Sequence, residues 1–390
     1  MNTQIPISVD MDSHDGETGG QLDDTFSRFA PRNRLNALCP YYTMFPLSFP
    51  GKVLATARPE DWVLDPFCGR GTTLFAARIH GLSNVGVDVN PVAVALATAK
   101  LEYASPESVV ELCKDLLHPG QPREVPEGDF WTLAYDKTTL FQVSLLRERL
   151  INVEDSSPAR ILRALVLGIL HGPIRMSKPS YLSNQMPRTY STKPGAAVRY
   201  WTKHNLTPPV VDVLDVVTRR AHYSLASVPR KVSGSVIAGD AKTAIQSLDR
   251  TFQWVVTSPP YYGMRTYVPD QWLRHWFLGG PPAVQYDVPG QLPHKGLECF
   301  TRGLADVWGV VSAKCTLGAK LVVRFGALPS QRQDPREIIQ RSLEMSGAEW
   351  RIDAIAPAGQ PPNWARQSSQ FGDPGSYVEE VDCYATLVRI

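Results

Sequence analysis

Thr257-Ser258-Pro259-Pro260-Tyr261 gathers a neutral hydroxyl, two consecutive prolines and an aromatic ring into one short segment. Those residue types suit a single chemical task, which is to hold the exocyclic amine of a nucleobase while its nitrogen is methylated. The amine lone pair is delocalised into the base ring, and acceptors placed on the amine hydrogens redirect it toward an electrophile. Ser258 Oγ and the Pro259 carbonyl are candidate acceptors. Pro260 adds stiffness and removes a competing amide donor, and Tyr261 is a candidate stacking face for a base turned out of its helix. The preceding run Phe252-Gln253-Trp254-Val255-Val256 reads as a buried strand. The motif then sits at a strand's carboxyl end, where ligands gather in open α/β sheets. A proline-stiffened turn with a packed tyrosine is the plain structural alternative.

A second segment points the same way. Trp62-Val63-Leu64-Asp65-Pro66-Phe67-Cys68-Gly69-Arg70-Gly71-Thr72-Thr73 reads as a strand, a glycine turn and the start of a helix through Leu74 to Ala77. Gly69 and Gly71 allow the backbone to approach a ligand closely. No Gly-Lys-Ser/Thr follows, so the loop is not a nucleotide phosphate loop. Asn84-Val85-Gly86-Val87-Asp88 forms a second strand ending in a carboxylate, the position that binds ribose hydroxyls in doubly wound nucleoside-binding folds. Asp88 could instead cap the helix starting at Pro91, a role that Asn90 also fits.

Together these segments resemble the S-adenosyl-L-methionine (SAM)-dependent DNA amino-methyltransferases, which act on cytosine N4 or adenine N6. Asp65 to Thr73 looks like the family's cofactor loop, and Ser258, Pro259, Pro260 and Tyr261 look like its catalytic tetrapeptide. The resemblance implies that Asp65, Phe67, Gly69, Gly71, Thr72 and Asp88 hold SAM. It also implies that Phe45 and Pro46, in Tyr42-Thr43-Met44-Phe45-Pro46, pack on the methionine portion, and that Asp240, after the strand Ser235-Val236-Ile237-Ala238, lies near the adenine. It covers residues 40 to 103 and 233 to 390. Family members acting on adenine more often carry Asp or Asn where Ser258 stands, so the implied product is N4-methylcytosine in duplex DNA. A restriction-modification setting with a cognate endonuclease as partner is also implied. The sulfonium of SAM is itself the electrophile, so no metal is expected. None of the six cysteines follows a proline, which argues against the covalent route of cytosine C5 methylation.

Strands and helices alternate from 62 to 103, from 234 to 257, through Gly318-Ala319-Lys320-Leu321-Val322-Val323-Arg324-Phe325 and a helix from Glu337 to Met345, to a last alternating strand from Cys383 to Ile390. This order predicts an α/β fold, a doubly wound, mostly parallel Rossmann-like sheet with right-handed crossovers. The family resemblance implies seven strands with the final one antiparallel, the class I methyltransferase sheet. Residues 31–103 and 233–390 form the two parts of this domain, after a lead at 1–30 that its acidic, glycine-containing composition marks as disordered. The intervening 104–232 is far longer than a crossover needs. Leu140 to Leu150 and Ala159 to Leu170 in its first part carry helical spacing.

From 171 to 232, Arg175, Lys178, Arg188, Lys193, Arg199, Lys203, Arg219, Arg220, Arg230 and Lys231 face only two acids, Asp212 and Asp215. Tyr181, Tyr190, Tyr200 and Trp201 lie among Asn184, Gln185, Ser191 and Thr192. Phosphate partners, stacking rings and base-edge hydrogen bonders thus coincide, as a target-recognition region requires. Arg175, Arg188, Tyr190, Lys193 and Arg199 are its candidate DNA contacts. Arg265 and Tyr267, just after the tetrapeptide, are two more, whereas Trp272, Trp276 and Phe277 recur at helical spacing and are expected to pack inward. A solvated basic loop has the same composition.

The net charge of +2 confines any nucleic-acid attraction to local clusters. The cysteines form no Cys-x-x-Cys pair and no metal-ligand spacing, so neither zinc nor a disulfide framework is indicated, and a cytoplasmic protein is expected. The longest apolar run, Ala164 to Leu170, is too short to span a bilayer, and Met1 onward lacks a signal-peptide layout. An adenine-N6 enzyme, an RNA base methyltransferase and a non-catalytic nucleic-acid-binding protein remain as alternatives, because fold alone does not separate them.

Overall fold

A computed structural model describes residues 24–27, 30–41, 45–174, 179–187, 193–263, 269–285, 296–327, 333–358 and 379–390. Among these, seven strands form one sheet: β1 (Trp62–Asp65), β2 (Ser83–Asp88), β3 (Gly234–Ala238), β4 (Phe252–Thr257), β5 (Cys315–Ala327), β6 (Glu349–Pro357) and β7 (Glu379–Arg389). Their spatial order is β3-β2-β1-β4-β5-β7-β6. The first five are parallel, and β7 enters between β5 and β6 antiparallel to both. This is the doubly wound sheet that the alternation of elements predicts. β6 escaped the sequence reading, although Trp350, Ile352 and Ala354 alternate along it. Its mostly open burial marks a sheet edge, where the apolar signal is weakest.

Alternation along the central strands sorts their side chains between two cores. Val63, Val256 and Val322 join one, while Leu64, Val255, Leu321 and Val323 join the other. The second core is closed by α10 (Ala241–Gln246), α12 (Leu297–Ser312) and α13 (Pro335–Glu344). The first is closed by α1 (Ser48–Val53), α2 (Thr72–Ile79), α3 (Pro91–Leu101) and α11 (Trp272–Phe277), together with the segment that separates β2 from β3.

That segment is helical: α4 (Pro106–Leu117), α5 (Asp129–Ala134), α6 (Lys137–Asn152), α7 (Ser157–Ile169), α8 (Pro194–Lys203) and α9 (Val213–Leu225). Ser105, Asp136, Ser156 and Asp212 cap four of these helices, each accepting a hydrogen bond from a backbone N–H in the first turn. The buried faces of α6 and α7 include Leu140, Val143, Leu146, Ile161, Leu162 and Leu165, which belong to the same core as the sheet. The two ends of the segment meet. Buried Arg78 on α2 donates to the carbonyls of Lys100 and Glu102 at one end and of Pro229 and Arg230 at the other. Glu102 receives Arg160 and, at 3.1 Å, Lys231. The excursion therefore leaves and returns through one knot of buried polar groups.

Two expectations are corrected here. Residues 24–27 fall within the lead expected to be disordered, yet they form a turn whose Phe26 is buried against Gly51 and the His80 ring, centroids 5.5 Å apart. The rest of that lead lies outside the described residues, except Ala30. Tyr181 and Trp201, expected as stacking faces, are buried at 1% and 0% exposure. Trp201 and Ala197 form the inward face of α8, and the Trp201 indole donates to the Gln185 carbonyl at 3.0 Å while its ring lies 5.7 Å from Phe130. Asn184 is buried as well, donating to the Leu133 carbonyl. An aromatic spaced four residues from an alanine on a helix packs inward before it stacks on anything.

Candidate active site

The carboxyl ends of β1 to β4 bring the two motifs together along one edge of the sheet. β1 ends in Asp65, which is 1% exposed. Its Oδ1 accepts from the Phe67 N–H at 3.1 Å and from Thr257 Oγ1 at 2.6 Å. Thr257 ends β4 and precedes Ser258, so one carboxylate oxygen joins the glycine loop to the tetrapeptide. Burial pushes the Asp65 carboxyl up to about 6, against the hydrogen bonds that favour its charged form. Asp65 was expected to touch a ligand. It lies instead beneath the loop, because its acceptor capacity is directed into the protein and almost none of it is exposed.

The two loop glycines do different work. Both have positive φ, 50° at Gly69 and 78° at Gly71. A Cβ on Gly71 would lie 2.8 Å from Ala97 Cα, so this glycine lets α2 start against α3. Above Gly69 the nearest atom is a Tyr41 ring carbon at 3.9 Å, which leaves room over the backbone for a ligand. Thr72 opens α2 and is buried. Phe67 is partly exposed, with its ring edge-on to Trp308 at 6.3 Å.

Asp88 ends β2 as expected and is half-buried. Its Oδ2 accepts from the Gly69 N–H at 2.9 Å and its Oδ1 from the Asn90 N–H at 2.8 Å, which fixes the loop and leaves each oxygen a further lone pair. Burial raises its carboxyl to about 6, against those backbone bonds. Asn90 takes the capping role, accepting from the Val92 N–H at 3.0 Å. Asn90 also donates to Tyr41 Oη at 3.1 Å, so Tyr41 belongs to the same wall. Asp240 caps α10 through the Lys242 and Thr243 N–H groups, and the adjoining Gly239 N–H donates to the Asp88 carbonyl at 3.0 Å. The loops after β2 and β3 are thereby tied together.

Ser258 and Pro260 are half-buried and Pro259 is buried. The loop is pinned beyond Pro260, where Tyr262 pairs with Ala327 at the end of β5. Tyr261, expected as an open stacking face, is 7% exposed, so little of the ring is offered to a base. Its ring meets Phe325 edge-on at 5.9 Å, and its hydroxyl donates to Glu380 Oε1 at 2.8 Å. The cause is β7: running antiparallel, it brings its first residues to the edge where the parallel strands end. Burial, and then the Glu380 charge, push the Tyr261 phenol well above its ordinary pKa.

Beside Glu380, buried Arg324 pairs with Asp382 through two bonds of 2.7 Å. The Arg324 guanidinium lies 3.9 Å over the Phe49 ring, and Phe49 meets Phe45 edge-on at 5.4 Å. Phe45 is therefore linked through packing to the tetrapeptide, while Pro46 is exposed and its carbonyl accepts from Phe49 N–H. Glu380, Arg324, Asp382 and Tyr41 were missed in the sequence, where each is a single charged or aromatic residue without a motif around it.

Of the expected nucleic-acid contacts, Lys193 and Arg199 are described and exposed, at the start and along the outer face of α8. Burial raises the Asp270 carboxyl, and the Lys193 charge opposes that rise. Arg175, Arg188, Tyr190, Arg265 and Tyr267 lie outside the described residues. Arg219 is engaged by Asp215 and the Pro179 carbonyl, and Arg220 lies over the Tyr181 ring at 5.8 Å. Trp272, Trp276 and Phe277 pack inward as expected. Among the described residues no cluster of His, Cys, Asp or Glu could hold a metal ion, and no helix is long and apolar enough to cross a membrane.

A family model described as DNA methylase matches residues 8–99, a span that contains the glycine loop and Asp88 and ends before the tetrapeptide. No curated protein matches the chain. Among solved structures, the rRNA methyltransferase aviRa from Streptomyces viridochromogenes is 13% identical over 89% of this chain and 87% of its own, with a TM-score of 0.33. TrmN from Thermus thermophilus is 10% identical over 91% of this chain and 53% of its own, with a TM-score of 0.34. A SAM-dependent methyltransferase from Methanosarcina mazei is 11% identical over 87% and 98%, with a TM-score of 0.32. Likenesses this distant say nothing about substrate. The family match supports a SAM-dependent methyltransferase.

Thr257→Val keeps the shape of the side chain and deletes the hydroxyl that bonds Asp65. Loss of one buried hydrogen bond to a carboxylate is expected to lower stability by about 2 kcal/mol in urea denaturation. An unchanged unfolding midpoint would show that the two loops are not held together at this point.

Proposed function

We propose that the chain is a site-specific DNA methyltransferase that moves a methyl group from SAM to the N4 amine of a cytosine flipped out of duplex DNA. The observation that carries this reading is the 2.6 Å bond between Asp65 and Thr257, which couples a loop suited to a nucleoside cofactor to a loop suited to a base amine. The space over Gly69 and the remaining lone pairs of Asp88 fit SAM, with Asp88 receiving the ribose hydroxyls. Phe45, Phe67 and Asp240 would line the remainder of that site. When bound, SAM supplies an electrophilic methyl on a sulfonium. Everything else is positioning: Ser258 Oγ and the Pro259 carbonyl accept the amine hydrogens, and the lone pair is turned toward the incoming carbon. Lys193 and Arg199 supply phosphate contacts on the approach side. Action within a restriction-modification system, with a cognate endonuclease as partner, belongs to the same proposal.

Incubation with tritiated SAM and either duplex DNA or total RNA, followed by digestion to nucleosides and mass spectrometry, tests the reading. N4-methylcytosine from DNA is the expected product. N6-methyladenine alone would change the base assignment and spare the site, whereas label only in RNA, or in neither, overturns the function.

Asp88→Ala is expected to weaken SAM binding by about 2 kcal/mol, roughly thirtyfold. Ribose hydroxyls donate to the ionised carboxylate, so affinity should hold above neutrality and decline as pH falls through about 6, where Asp88 takes up its proton. Asp65 titrates in the same window, so the pH dependence must shrink in Asp88→Ala. Calorimetry between pH 5 and pH 8, a range of about three units around that value, decides it, and a dissociation constant that ignores both pH and the substitution removes Asp88 from the cofactor site.

Neutralising Lys193 and Arg199 together should weaken DNA binding, reduce the slope of log affinity against log salt by about 2, and leave SAM affinity intact. A salt slope that survives the double substitution places DNA recognition elsewhere.

A further inference from the structure

Sheet register sets the tetrapeptide beside the end of β5 with one residue too many. Thr257 pairs with Val323 and Tyr262 with Ala327, so the four residues Ser258, Pro259, Pro260 and Tyr261 run alongside only three, Arg324, Phe325 and Gly326. The surplus residue must bow out of the lane, as in a β-bulge. Pro259 and Pro260 have no N–H to donate, so side chains must supply part of what holds the bow in place. Tyr261 does this. β7 lies on the other side of β5 and places Glu380 opposite Gly326, which carries no side chain to stand between the two flanking lanes. Across that gap Tyr261 Oη donates to Glu380 Oε1 at 2.8 Å. Arg324, also on β5, is already held by Asp382 through two bonds of 2.7 Å.

We infer that Glu380 is a positioning residue for methyl transfer: through the Tyr261 hydroxyl it fixes where Ser258 Oγ and the Pro259 carbonyl meet the substrate amine, and the tyrosine works by that hydroxyl instead of by a stacking face. The inference rests on the proposed function and names a group, Glu380, that the tetrapeptide does not contain. Pins then stand at both ends of the loop. Thr257 is bonded to Asp65 at 2.6 Å before it and Tyr261 to Glu380 at its end, so the two amine acceptors lie between fixed points. The ring does not serve a second purpose. It is 7% exposed, packed edge-on against Phe325 at 5.9 Å, and belongs to the same buried core as Phe300 and Trp308. Burial, and then the Glu380 charge, keep the phenol protonated well above its ordinary range, so the donor persists where an exposed phenol would ionise. Displacing the acceptors by about 1 Å would misalign the amine lone pair with the methyl, a loss that falls on the chemical step and not on binding.

Tyr261→Phe keeps the ring and deletes the hydroxyl, Glu380→Leu removes the acceptor, and Glu380→Gln retains an amide oxygen in its place. On the nucleic acid that accepts the methyl group, Tyr261→Phe and Glu380→Leu are each expected to lower kcat by roughly 10- to 100-fold, with KM and calorimetric SAM affinity within about twofold of wild type. Both break the same bond, so the double variant should be no slower than the slower single one. Glu380→Gln should recover most of the rate. Urea midpoints and SAM affinity show which variants are folded, and Tyr261→Phe decides the matter if Glu380→Leu is not. A kcat preserved in Tyr261→Phe, losses that multiply in the double variant, or Glu380→Gln as slow as Glu380→Leu overturns the inference while leaving the proposed function standing. A wild-type protein that methylates neither DNA nor RNA overturns both.

Discussion

A carboxylate with almost no access to water, Asp65, sits where the structure most needs a rigid joint. Burying it is unfavourable enough to raise its pKa to about 6, and the donors that offset this come from two separate segments, the backbone of the glycine loop and the hydroxyl that ends β4. A water-exposed aspartate could trade either partner for solvent. This one cannot without leaving a buried acceptor unpaired. The bend of the glycine loop and the start of the tetrapeptide loop are consequently held by the same atom.

Around that joint the chain spends much of its length on a helical layer rather than on the sheet. The layer shares a core with the sheet helices, and its entry and exit are closed by Arg78, Glu102 and Lys231. Hydrogen bonds and apolar packing fulfil different tasks here. The packing fixes where the layer lies, while the polar knot holds its two ends together beside α2. α8 stands on the outside of this layer with Ala197 and Trp201 turned in and Arg199 turned out.

The central sheet was legible because its strands are apolar on both faces and its loops carry glycine and proline, signals that survive without any tertiary context. Two helices of the insertion, α6 and α7, were legible from spacing, whereas α4, α5, α8 and α9 were not. β6 was not, since an edge strand with mixed polarity looks like a loop. Trp201 and Tyr181 were misread for a related reason: in a segment rich in lysine and arginine, ring residues read as binding faces, although burial of large apolar surface is the stronger tendency. Within the site, Asp65 and Asp88 were placed correctly at strand ends, yet the partner each would choose depended on residues up to 192 positions away. Glu380 was invisible in principle. Nothing about a glutamate near the end of a chain announces that an antiparallel strand will carry it to a tyrosine that lies 119 residues earlier.

That separation has a consequence for the order of assembly. β1, β2 and the insertion between β2 and β3 precede the tetrapeptide in the chain, and these parts can collapse as they emerge during synthesis. β7 cannot. It pairs antiparallel with both β5 and the preceding β6, and only when it docks on β5 does Tyr261 acquire the acceptor for its hydroxyl. Long-range pairing of this kind is among the slowest steps available to a folding chain. A ribosome-bound or truncated product would thus possess β1, β2 and the glycine residues between them before Tyr261 had Glu380 as its partner.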